Sequence, residues 1–483
     1  MPIFRPEVEA APLGDLRALE ERQLRDGLLA HASRSALYRA RWRDAGIDPG
    51  AIRTLEDLQG LPYIRGADLR EVWQHHPHDV LCDADVRIWF ATSGTTGAPK
   101  WTPYGRQELA MFEEVVLRVY HMTVTRQDAF RIAIFGTPAP FVSDAAAYAL
   151  LAAHVAAGLP VEYILSSPTQ AAVTLAFLAD RRPTAVIGFP SLLLRIAEGI
   201  AAEAPQAARV AWRDEPSLRT FAGVVATRML RLQARHLYRP EIGLFGGEPL
   251  APYRRPLRDA WGLRAYELYA MTEYPCFHVE CPEQSGIHLW ADWCIPEIIP
   301  LEALDREEAD GTVPAAVHLF DAAPGALGEF VFTSFARALP LVRYRTGDII
   351  EVLAVTRCGY GRTHPRIRVR GRRDDLVNLG LIRFSTAELD QRLGALEGIA
   401  NWQLRIVRRG YKPQPVLYLV PAPGADPTAV TGAAARALND IDVLRLGIEN
   451  GLVLPVEVKA VPQIDEVRTW SGKRRRVIEE AVS

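Results

Sequence analysis

The chain has 483 residues, 49% of them hydrophobic, and its 56 basic and 58 acidic side chains leave a formal net charge of −2. That much apolar sequence buries more than one large core, so two or more domains are expected. The even charge excludes bulk electrostatic attraction to nucleic acid or to a membrane surface. Five unevenly spaced cysteines read as free thiols or metal ligands of a reducing compartment.

In chain order, the opening run Met1-Pro-Ile-Phe-Arg-Pro-Glu7 lacks the basic, apolar and small-residue pattern of a secretory leader, and a cytoplasmic protein is expected. Arg87 to Phe90 reads as strand. It feeds Ala91-Thr-Ser-Gly-Thr-Thr-Gly-Ala-Pro-Lys100, a loop of small hydroxyl residues and glycines set between that apolar run and a helical pattern. Gly94 and Gly97 let backbone approach a ligand, while Ser93, Thr95 and Thr96 supply hydroxyl donors suited to phosphate. The spacing is not that of the nucleotide P-loop, because no Lys-Ser/Thr pair follows a second glycine at the required offset. On spacing alone an ordinary turn is the competing reading.

Phe130–Phe135, Val161–Leu165 and Thr184–Gly188 are β-rich runs separated by helical stretches such as Ala171–Ala179 and Leu192–Ala202. This alternation predicts layered α/β sheets. The longest apolar region, Ala145 to Leu165, is interrupted by His154, Gly158 and Pro160, and so reads as a buried helix and a strand, not a membrane span. From Val317 to Ile350 the pattern turns to hairpins. After Arg372 a smaller α+β unit begins, with strand runs near Trp402–Val407, Pro415–Val420 and Leu452–Val461. Cys276, His278, Cys281 and His288 lie within thirteen positions, a cluster of thiol and imidazole suited to tetrahedral Zn²⁺; buried thiols and core histidines are the alternative.

The phosphate loop resembles that of the acyl-adenylate-forming superfamily, and five further blocks repeat the match in order. Phe245-Gly-Gly-Glu-Pro-Leu250 is similar to the adenine-pocket turn, Tyr269-Ala-Met-Thr-Glu273 to Tyr-Gly-x-Thr/Ser-Glu, and Tyr344-Arg-Thr-Gly-Asp348 to the ribose-binding motif. Gly371-Arg-Arg-Asp-Asp375 and Ser471-Gly-Lys-Arg-Arg-Arg476 complete the set. The segments Ser35–Tyr38, Ala45–Pro49, Leu55–Pro62, Pro190–Leu193, Gly286–Trp290 with Asp292, and Gly328–Thr333 resemble the phenylacetate-CoA ligase-like branch.

The resemblance implies a large multi-layer α/β N-terminal adenylation domain over residues 1–372 and a smaller mobile α+β C-terminal domain over residues 373–483, hinged at Asp374. It implies an ATP- and Mg²⁺-dependent ligase that converts an aromatic carboxylic acid into an acyl-AMP and passes the acyl group to CoA. Direct transfer to an amine or hydroxyl acceptor is the alternative, and a nucleotide-binding pseudoenzyme the third reading.

Lys473 is implied to hold the carboxylate against the α-phosphate, Thr272 to lie near that phosphate and Glu273 to hold Mg²⁺. The nucleotide would meet Ser93, Gly94, Thr95, Thr96, Gly97, Gly246, Gly247, Glu248 and Tyr269, with Asp348 on the ribose hydroxyls and Arg372 and Arg383 reaching from the hinge side. Ala270 and Met271 would line the acyl pocket. Cys358 lies in a segment the branch carries near the cysteine cluster, which makes Cys276, Cys281, His288 and Cys358 the expected zinc quartet, with His278 as alternate.

The chain departs from the pattern in four places. Ala270 replaces the usual glycine, Trp101 follows Lys100, Tyr360 stands for the second cysteine of a Cys-x-Cys segment, and Leu381 falls where CoA-using members place a glycine beside the pantetheine tunnel, with Gly380 one residue away.

Overall fold

The computed structural model describes residues 3–75, 82, 85–91, 101–123, 130–135, 150–166, 180–217, 221, 224–225, 233–236, 239–247, 250–372, 376–379, 382–409, 412–451, 453–465 and 476–479. Strands are numbered in chain order, from β1 (Ile64–Arg65), β2 (Val86–Ala91), β3 (Trp101–Gly105), β4 (Phe130–Phe135), β5 (Val161–Ser166) and β6 (Ala185–Gly188) to β7 (Ile242–Phe245) and β8 (Arg264–Ala270). Five of these run parallel to their neighbours in the order β5-β4-β6-β7-β8. Their composition explains that placement. Phe130-Arg-Ile-Ala-Ile-Phe135 is a nearly unbroken apolar run, as a strand covered on both faces requires, and five of its six residues are buried.

Beyond β8 the sheet turns antiparallel through β9 (Phe277–Glu280), β10 (Ile287–His288), β11 (Cys294–Pro300), β12 (Val317–His318), β13 (Leu327–Ser334), β14 (Tyr344–Ala354) and β15 (Arg366–Arg372). Together these form a thirteen-stranded mixed sheet among the described residues, with β1 paired parallel to β14. The helix Arg106–Thr123 buries Met111, Phe112, Val115, Val116 and Val119, a 3.6-residue stripe, and sets Phe112 edge-on to Phe277 of β9 at 5.4 Å.

The residues after β15 build a second core. A hairpin of β16 (Leu376–Leu379) and β17 (Ile382–Ser385) leads into a sheet ordered β20-β19-β18-β21, made of β18 (Ile399–Arg409), β19 (Lys412–Pro421), β20 (Glu457–Ala460) and β21 (Val477–Glu479). Leu389, Leu404, Leu417, Leu438 and Leu444 pack together beneath it with the helices Thr386–Gly394, Pro427–Asn439 and Asp442–Glu449.

Candidate active site

Parallel α/β sheets bind ligands at the carboxyl ends of their strands, and the described residues of two motifs lie there, after β7 and at the end of β8. β7 ends at Phe245, and the chain then crosses over β8. A Cβ on Gly246 would meet the Leu268 carbonyl oxygen at 3.0 Å, and one on Gly247, at φ +79°, would meet the Phe189 ring at 2.7 Å. Glycine is therefore demanded at 246 by the close approach to β8 and at 247 by a left-handed backbone beside Phe189. The turn is tied to β8 where the Leu250 N–H donates to Glu267 Oε1 at 3.2 Å.

At the end of β8 the chain leaves the sheet through Tyr269, Ala270, Met271, Thr272 and Glu273. The Tyr104 hydroxyl of β3 donates to the Thr272 carbonyl at 3.0 Å. The Tyr269 hydroxyl donates to Asp348 Oδ2 at 2.6 Å, and the Tyr344 hydroxyl donates to Glu273 Oε1 at 3.1 Å. These two bonds join β8 to β14, four steps apart in the sheet order β14-β15-β10-β9-β8. On a flat sheet those strands would stand about 19 Å apart, so the sheet curls to close the site. Tyr344 and Tyr104, absent from the expected site residues, are the groups that orient its carboxylate and its backbone; Tyr344 is the first residue of the ribose motif, and that position was the available signal.

The motif Tyr344–Asp348 is itself held by buried ion pairs. Arg345 donates to Glu329 at 3.0 Å and bidentately to Glu307 at 2.7 and 2.9 Å, and the Gly347 N–H donates to Glu329 Oε1 at 3.1 Å. Asp348 lies directly across from Arg372 in the β14/β15 register, while Arg383 pairs with Asn378 in the hairpin beyond. Ala270 is exposed and Met271 half-buried at the end of β8.

The phosphate loop lies between β2 and β3, which pair antiparallel with Ala91 opposite Trp101. The two strands thus pair as a hairpin, and the helix predicted to follow the loop starts only after β3, at Arg106. Ser93, Gly94, Thr95, Thr96, Gly97, Glu248, Asp374, Gly380, Leu381 and Lys473 lie outside the described residues.

The expected zinc quartet needs one correction. Cys281, His288 and Cys358 are buried and bring their ligand atoms within 4.8 Å of one another, with the two sulfurs 4.0 Å apart. Cys276 does not join them. It flanks β9 at the opposite end from Cys281, and an odd separation of five along extended chain sends the two side chains to opposite faces. His288, paired with Val279, shares the face of Cys281. Cys276 instead lies near Cys294 and Arg118, where burial pushes its thiol up.

The alternate, His278, is also on the wrong face. Its Nδ1 accepts from the Trp290 N–H at 3.1 Å, its ring stacks with Tyr269 and Tyr274, and burial lowers it to about 3. Within the trio, the Cys281 S–H donates toward Cys358 and drives that thiol well below its ordinary value. His288 Nδ1–H donates to the His364 carbonyl at 3.1 Å, which fixes the tautomer and leaves the buried Nε2 free to face the two sulfurs. Two sulfurs and an imidazole nitrogen oriented by a carbonyl fit a metal of zinc's preferences.

A layered sheet with a glycine turn at the end of one strand, a threonine–glutamate pair after the next and an aspartate tied to them by a tyrosine hydroxyl is the architecture of an adenylate-forming enzyme. A structure of 2-hydroxyisobutyryl-CoA ligase in the postadenylation state matches 98% of this chain and 92% of its own, at a TM-score of 0.71 and 21% identity. An acyl acid amido synthetase matches 93% and 88% at a TM-score of 0.64 and 16% identity, so both likenesses bear on the fold. The chain belongs to the AMP-binding enzyme family, whose model matches residues 32–294, and falls in the phenylacetate-CoA ligase-like branch of the adenylate-forming superfamily. It is 27% identical over 424 residues to a phenylacetate-coenzyme A ligase of Thermus thermophilus, covering 84% of this chain and 82% of that one. An enzyme of the same name from Escherichia coli is 27% identical over 417 residues, covering 84% and 82%. No described helix is long and apolar enough to cross a membrane.

Proposed function

We propose that the chain is an ATP- and Mg²⁺-dependent ligase that activates an aromatic carboxylic acid as its acyl-adenylate and transfers the acyl group to CoA, in the cytoplasm. The observation that carries this reading is the convergence of Thr272 and Glu273 with Asp348 through the Tyr344 and Tyr269 hydroxyls. A carboxylate has no leaving group of its own, so activation requires attack on the α-phosphate of ATP with loss of pyrophosphate. Asp348 would accept the ribose hydroxyls, and Thr272 would donate at the α-phosphate. Lys473 would bring the acid's carboxylate into line against the charge of the triphosphate. Bound at Glu273, Mg²⁺ would supply charge neutralisation to the phosphates.

The acceptor is read from the curated relatives, which are named as CoA ligases. Leu381 favours a second reading, direct transfer to an amine or hydroxyl, because a branched side chain narrows a tunnel sized for a thin thiol arm. The division at residues 372 and 373 would let the C-terminal unit turn about Asp374 between the two half-reactions. The trio Cys281, His288 and Cys358 would hold a structural Zn²⁺ whose role is to pin the β9–β10 segment to the chain around Cys358.

Exchange of labelled pyrophosphate into ATP, run with a panel of phenylacetate, benzoates, hydroxybenzoates and aliphatic acids, tests the first half-reaction. At least one aryl acid should stimulate exchange well above the aliphatic acids. Stimulation by aliphatic acids alone would remove the aromatic assignment, and no exchange with any acid would remove adenylation.

A further inference from the structure

Among the described non-glycine residues, Arg343 is one of three with a left-handed backbone, at φ +48°, and it immediately precedes Tyr344. L side chains avoid this region, and such outliers persist only where surrounding structure over-determines them. The surroundings here do so completely. The side chain is only 2% exposed, yet each of its five N–H donors has an acceptor. Nε and Nη2 donate to the two oxygens of Glu297 at 3.1 and 2.9 Å, Nη1 donates to the carbonyls of Leu61 at 2.7 Å and of Gln59, and Nη2 donates to the Tyr63 hydroxyl at 3.0 Å. The guanidinium also lies over the Tyr63 ring, 4.2 Å from its centroid.

The backbone on both sides is fastened residue by residue. The Tyr38 hydroxyl donates to the Pro340 carbonyl and accepts from the Val342 N–H, Leu341 N–H donates to Ser334 Oγ, Arg343 N–H donates to Thr333 Oγ1, and the Ile64 N–H donates to the Arg343 carbonyl. The chain thus enters β14 at a fixed angle set by three separate segments. What emerges from that turn is Tyr344, buried, with its hydroxyl on Glu273.

We propose that Arg343 is a positioning residue which, by holding its own left-handed backbone between Glu297 and residues 59–63, aims the Tyr344 hydroxyl at Glu273 and so sets the orientation of the metal-binding carboxylate. Glycine would relieve the backbone but lose all five contacts, so the chain keeps an arginine where conformation alone favours glycine. The inference rests on the reading of Glu273 as the Mg²⁺ ligand. The competing account is a buried ion pair that stabilises the fold with no bearing on the site.

Mn²⁺ serves as a spectroscopic stand-in for Mg²⁺, and its dissociation constant in the presence of α,β-methylene-ATP can be read by electron paramagnetic resonance without turnover. Arg343→Lys and Tyr344→Phe should each weaken Mn²⁺ binding by roughly tenfold, the usual consequence of losing an outer partner of a metal ligand. The double variant should be no weaker than either single one, because both changes break one chain of contacts. Fully multiplied effects, or a lowered melting temperature with Mn²⁺ binding unchanged, would overturn the inference. If Arg343→Lys does not fold, Glu297→Gln replaces it with the same expectation. Glu273→Gln separates the two levels: if it leaves Mn²⁺ binding unchanged, the metal reading of Glu273 and this inference both fall. If it weakens binding and the Arg343 and Glu297 variants do not, the inference alone falls.

Discussion

Glu267 shows how a single buried carboxyl ties the glycine turn after β7 to pH. It sits on β8 opposite Phe245, accepts the Leu250 N–H, and has Arg254 Nη2 at 3.7 Å. Burial, followed by the charge of Glu280, pushes its carboxyl up to about 7 from 4.5, with Arg254 and Arg368 acting in the opposite sense. An acid whose folded value is raised holds its proton more tightly in the native state, so its contribution is fully present below about 4.5 and is lost as pH rises through about 7. Glu267→Gln keeps an acceptor oxygen and cannot ionise. Its stability relative to the wild type, measured by urea unfolding, should improve between about pH 5 and pH 8 by up to about 3 kcal/mol. An identical difference at both pH values would contradict the raised value. The thiols offer an independent test. Protein purified without added metal should carry about one equivalent of zinc by elemental analysis, and Cys358→Ser should carry none. A wild-type protein that is folded, active and free of zinc would remove the site.

At the level of elements, the strands that run through the core were legible because composition alone marks them. Phe130–Phe135, Val161–Leu165 and the runs at Trp402 and Pro415 are apolar enough to read without knowing their partners, and they became β4, β5, β18 and β19. The site motifs were legible for a different reason: they are contiguous, and a contiguous block can be recognised. What escaped was set by register and by distant partners. The opposite faces of Cys276 and Cys281 follow from where β9 begins, and the hairpin of β2 and β3 depends on a pairing that no single segment announces. The left-handed Arg343 depends on Glu297 and Gln59, far away in sequence. Where an element is expected to move, backbone chemistry gives the test. Proline at position 374 would fix φ near −65° and restrict residue 373. Asp374→Pro should therefore retain pyrophosphate exchange and lose acyl transfer if the adenylating pose is the one trapped. Unchanged rates in both steps would refute rotation at this point.

For the whole molecule, the proposed function divides the labour: the large sheet would bind the nucleotide, and Lys473, in the sequence of the C-terminal unit, would serve one half-reaction. Lys473→Ala should lower adenylation about a hundred- to a thousand-fold while transfer from supplied acyl-adenylate continues. Equal loss of both steps would make Lys473 structural. The acceptor is the point at which relatives named as CoA ligases and the bulk of Leu381 pull in different directions. The most direct measurement is AMP release from ATP and the best aryl acid of the exchange panel, followed in parallel with CoA, with amines and with hydroxy-aryl acids, and with the acyl product identified by mass. Release should rise with CoA, with a thioester formed in equal amount to AMP. Release that ignores CoA at every concentration and accelerates with an amine or hydroxyl nucleophile would contradict transfer to CoA.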